Sequence, residues 1–167
     1  MLSRILTLLP GAHPVANPLF GAVQVLQQHM GVCACPLTVH RALFIAQAVH
    51  LGRAASPIFP DAIKATTMGP IVSSYHKARL AEKISHPIHR NALTSTMMEV
   101  LVAVASELRS ASSAQHVQIV QRPGGAWSRY YAPSPLRTDP YEGYEIPMED
   151  MIGEFEFPNP SPLPLAA

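Results

Sequence analysis

The chain has 167 residues, enough for one domain with a sizeable core, and 48% of them are hydrophobic. Twelve basic and eleven acidic side chains leave a net charge of +1, which argues against the concentrated basic face of a nucleic-acid-binding domain. Only 14% of the residues are charged, so part of the surface is expected to be covered by a partner.

Residues 1–18 contain Pro10, Gly11, Pro14 and Pro18 and read as an irregular arm. The apolar run from Ile5 to Leu9 is short for a signal peptide and much too short to span a bilayer, so the expectation is a cytoplasmic protein without a membrane segment. Leu19 to Met30 reads as a helix, with Phe20, Val23 and Leu26 on one face and Gly31 as its stop. Cys33 and Cys35 lie too close together for an ordinary disulfide and do not suggest an oxidising compartment. Pro36 suits the start of a second helix, which Thr38 could cap. Val39, Ala42, Leu43, Ala46 and Val49 follow one helix face, and Phe44, Ile45 and Ala48 widen it, so this helix should be buried on more than one side. Gly52 is its expected end.

Pro60-Asp61 reads as the start of a shorter helix through Ala62, Ile63 and Ala65, broken at Gly69-Pro70. Glycine tolerates positive φ there, and proline suits the first turn of a following helix, Pro70 to Lys83. Residues 85–92 read as a polar loop. Thr94 is a good cap for the longest late helix, whose Met97, Leu101, Val104 and Leu108 form a stripe. A serine turn follows, then a short helix with Val117, Ile119 and Val120. Residues 122–144 read as loop, Pro147 to Phe155 as a last helix, and residues 158–167, with four prolines, as an extended tail. The expected fold is therefore all-α: one compact domain of six to eight short helices over residues 19–157, with an irregular Pro/Gly/Tyr-rich loop near its end.

The stretches Leu37 to Leu51, Ser56 to Ala65, and Gly69-Pro70-Ile71-Val72 with Tyr75 resemble the Panacea domain family, the antitoxin domain of bacterial and phage toxin–antitoxin pairs. Pro123-Gly124-Gly125-Ala126-Trp127 and Ile146 to Ile152 look like that family's later turn and final helix. The resemblance covers roughly residues 17–157. It departs at Ala42-Leu43-Phe44, where the family has Lys-Leu-Tyr, and at Thr67-Met68 before the Gly-Pro. The resemblance implies a non-enzymatic protein that neutralises a cognate toxin by direct binding or hands it to a protease. A phage accessory protein that binds a host defence or replication component is the alternative.

The residues offer little catalytic chemistry. His29, Cys33, Cys35 and His40 could close around one zinc ion, but Cys-x-Cys is a poor match to a zinc knuckle, and neither a metal nor another cofactor is expected. His76 has no paired nucleophile or orienting carboxylate near it in sequence. Glu149, Asp150, Glu154 and Glu156 read as a solvated acidic face rather than a carboxylate pair. The expected partner is a protein, without nucleic acid or membrane. Arg129, Tyr130, Tyr131 and Arg137 are of the types that anchor interfaces, and the surface around Tyr75 and His76 is the second candidate. Gly69, Pro70 and Trp127 read as structural, with Trp127 in the core.

Overall fold

The computed structural model describes residues 17–31, 34–81 and 92–155. The expected N-terminal arm (but for Asn17 and Pro18), the loop at residues 85–91, the C-terminal tail and Cys33 lie outside the described residues. Helix α1 (Pro18–Met30) starts at Asn17, whose side chain accepts the Leu19 amide at 2.9 Å, and Pro18 fills the first position. It buries Leu19, Ala22, Val23, Val25 and Leu26.

Helix α2 (Pro36–Ala54) is the centre of the molecule. Every residue from Val39 to Leu51 is buried, so the helix has no solvent face and is wrapped on all sides. It ends at Ala55, in the left-handed region at φ 50°, whose amide bonds Leu51 O at 3.0 Å. The expected stop at Gly52 falls inside the helix, and the cap position is Cys35 rather than Thr38.

The chain then makes strands where helix was expected. Strand β1 (Ile63–Thr66) and strand β2 (Gly69–Val72) form an antiparallel hairpin with Thr66 opposite Gly69, and strand β3 (Gly143–Glu145) pairs with the other edge of β1. The all-α expectation is thus corrected: the fold is mostly helical with a small three-stranded antiparallel sheet, ordered β2-β1-β3. A short apolar run such as Ile63–Thr66 fits a strand or a helix equally by periodicity, and only its tertiary partners decide. Gly69-Pro70 is accordingly a strand start and not a helix break. Thr66 fixes the tight turn, its hydroxyl donating to Gly69 O at 2.9 Å and accepting the Met68 amide at 3.2 Å. Pro70 lies on an edge strand, where a missing N–H is tolerated.

Helix α3 (Ser73–Leu80) follows directly on β2. Helix α4 (Ser95–Ser110) is capped by Thr94, as expected, and buries Val100, Leu101, Val104, Ala105 and Leu108 against α1 and α2. Helix α5 (Ser113–Val120) begins in a capping box, Ser112 with Gln115. Helix α6 (Ala126–Tyr130) lies within the segment read as loop, and helix α7 (Met148–Met151) is one turn rather than the expected run from Pro147 to Phe155. Around α2 are packed α1, α4, α5, α7 and strand β2.

The approach to the hairpin is held by one buried side chain. Gln47 of α2 accepts the Ile58 and Phe59 amides at 2.9 and 3.4 Å and donates to Phe59 O at 2.8 Å. Ile58 and Phe59 are thereby pinned into the core, next to the start of β1.

Candidate functional site

Two regions carry the residues singled out in the sequence. The first is the end of the domain built by α6, the segment 131–142, β3 and α7. Trp127 is buried, and its ring N–H donates to Thr66 O at 3.1 Å, tying α6 to the sheet. Tyr131 stacks on Trp127 with centroids 4.4 Å apart and planes at 16°. Tyr130 is half-buried, and its hydroxyl donates to the Asp150 carboxylate. That bond raises the phenol above its ordinary pKa. Arg129 donates to Asp150 O at 2.7 Å. Arg129 and Tyr130 thus each have a partner in α7, and Tyr131 has one in Trp127.

Beyond these contacts the surface changes character. Leu136 is 90% exposed and Tyr144, on β3, 57%. Arg137 joins the two parts of the segment: its guanidinium lies 5.3 Å over the Tyr144 ring and donates to Ala132 O at 3.0 Å. β3 can approach β1 this closely only because residue 143 is glycine. A Cβ there would come within 2.0 Å of Ala65 O. The outcome is a stretch with an aliphatic and an aromatic side chain exposed and a half-buried arginine between them. Leu136 and Tyr144 were not singled out in the sequence; the only signal for them was their place between prolines and turn residues.

Of the acidic end read from the sequence as a solvated face, Glu149 is exposed and Asp150 half-buried, Glu156 lies outside the described residues, and Glu154 departs from that reading. Glu154 is buried at 7% exposure, pairs with Arg122 Nε at 3.2 Å, and accepts the Ala126 amide at 2.9 Å. It caps α6 from a distance of 28 residues along the chain.

The second region lies where α2 meets α3. Tyr75 is buried rather than offered to solvent, and its ring is 4.7 Å from that of His40. His40 is also buried, and its Nδ1 accepts the Val72 amide at 3.0 Å. The proton of the neutral ring is then on Nε2, which finds no acceptor. Burial first, then the positive charges of His76 and Arg79, push the His40 pKa down to about 3. His76 is half-buried and stacked under Tyr141 at 4.3 Å and 21°. Arg41, one residue along α2, is 9% exposed, and its Nε has no partner. Among the described residues no three His, Cys, Asp or Glu side chains come together as a metal site. His29 and Cys35 are exposed, and His40 is engaged with the backbone.

Compared with protein-family models, curated proteins and solved structures, the chain matches none.

Proposed function

We propose that this is a non-enzymatic protein-binding domain that acts as Panacea-type antitoxins do, by covering a protein partner, in the first instance a cognate toxin. The observation that carries the reading is the exposed pair Leu136 and Tyr144, with Arg137 set over the Tyr144 ring and bonded to Ala132 O. Aromatic and arginine side chains anchor interfaces when they are held in place before binding. The residues that carry the sequence resemblance are scaffold by contrast: Gly69, Pro70, Ile71 and Val72 are all buried. Asp139, Glu142 and Glu145, in the same stretch of chain, and Glu149 on α7 are exposed, which favours a basic partner and would speed its approach.

The test is co-expression with the product of the neighbouring reading frame, followed by calorimetric titration of the purified pair. Leu136→Asp and Tyr144→Ala are expected to weaken the complex by about 1 kcal/mol or more each, with melting temperatures near that of the wild type. Rescue of growth by the wild type but not by these variants would tie binding to toxin neutralisation. Tight binding that both variants leave untouched moves the interface elsewhere. A neighbouring product that is neither toxic nor bound removes the antitoxin reading, and binding to a host component would then favour the phage accessory alternative.

A further inference from the structure

We propose that the start of α2 is a binding site for an oxyanion, the phosphate or carboxylate group of a small solute, held by the Arg41 guanidinium and the first-turn amides of Leu37 and Thr38. The argument begins with the helix end. α2 runs for 19 residues, its cap residue Cys35 makes no side-chain cap bond, and its first turn has no acidic residue. Pro36 has no amide hydrogen, and the first amide of the helix to find a backbone acceptor is that of Val39, bonded to Cys35 O at 3.1 Å. Leu37 and Thr38 are thus donors without a protein acceptor among the described residues, at the positive end of a long dipole.

Arg41 supplies the second, independent observation. It lies three and four residues beyond Thr38 and Leu37, on the same helix face, and helical side chains lean towards the N-terminus. It is 9% exposed, its Nε is buried without a partner, and the ion pair found among the described residues is Arg122 with Glu154, not with Arg41. A buried guanidinium without a counter-charge is costly, and ordinary folds pair it. Burial lowers the Arg41 pKa, and the Cys35 thiol is the one opposing group. The free amides and the Arg41 charge thus lie at one end of α2, with no acid in its first turn and no ion pair to Arg41 among the described residues. An oxyanion satisfies both at once, since its oxygens accept from the guanidinium fork and from the helix amides.

The experiment uses the full chain and three probes: inorganic phosphate, acetate, and sodium chloride at matched ionic strength. Proton–nitrogen spectra should show saturable shifts at the Leu37 and Thr38 amides and at Arg41 Nε–H with phosphate or acetate, and none with chloride. A response to phosphate alone assigns a phosphate-bearing ligand, and one to acetate alone a carboxylate. Arg41→Met should weaken the binding at least about tenfold, as loss of charge-assisted hydrogen bonds does. Equal responses to chloride, shifts confined to other residues, or undiminished binding by Arg41→Met would overturn the proposal. If Arg41→Met does not fold, the wild-type titration decides by itself, because its shifts report on the named atoms.

Discussion

Gly69 shows how one residue constrains the hairpin. Its φ is +109°, a region that side chains with a Cβ rarely adopt, and an added Cβ would come within 3.2 Å of the Gln121 side-chain nitrogen. Gly69→Val should destabilise the protein by roughly 1–3 kcal/mol, mostly through backbone strain. Denaturant unfolding measures this, and an unchanged midpoint would mean that the turn relaxes without cost. Gln47 acts through hydrogen bonds instead. Replacing it with leucine keeps the volume but strips the Ile58 and Phe59 amides and Phe59 O of their buried partner. Unmade buried hydrogen bonds are expensive, so Gln47→Leu should cost about 2–4 kcal/mol. A loss below about 0.5 kcal/mol, within the range of surface substitutions, would show that the loop finds other partners.

At the scale of elements, α6 and α7 are too short to stand alone, and Glu154 is what joins them. It caps Ala126 and pairs with Arg122, while Tyr130 and Arg129 reach back to Asp150. Glu154→Ala should release both helices together. Hydrogen exchange at Ala126 and Arg129 should accelerate while the amides of α4 stay protected, and equal acceleration throughout would mean that no separate unit exists. This corner also marks the limit of what the sequence discloses. Helices α1, α2 and α4 were legible because each is long, periodic and marked at an end by Gly31, Pro36 or Thr94. The same periodicity misread Ile63–Thr66, whose strand state depends on pairing with Val72 and Glu145. Trp127 was placed in the core from its aromatic bulk, but its bond to Thr66 spans 61 residues. Glu154 looked like one more surface acid because Arg122 lies 32 residues away. Arg41 was not singled out in the sequence, because its burial and its lack of an ion pair among the described residues follow from the packing around α2.

For the whole molecule, the buried central helix decides how stability varies with pH. α2 carries His40 into a dry site where its Nδ1 already accepts a backbone amide, so protonating the ring in the folded state breaks that bond or charges a buried group. The folded pKa of about 3 lies below the unfolded value of 6.5. Between these values the unfolded chain binds a proton that the folded one refuses, so stability rises with pH across the window. The contribution is complete above pH 6.5, falls progressively below it, and is gone near pH 3. A shift of this size corresponds to roughly 4–5 kcal/mol over the full window, and about half of that should already be lost by pH 5. Urea unfolding at a series of pH values measures the slope, with His40→Gln as the comparison. The amide can accept the Val72 hydrogen bond but does not titrate, so its curve should be flatter than the wild type between pH 7 and 4. If the two curves run parallel, the acid sensitivity of the fold comes from other groups, and His40 is protonated in the folded state without penalty.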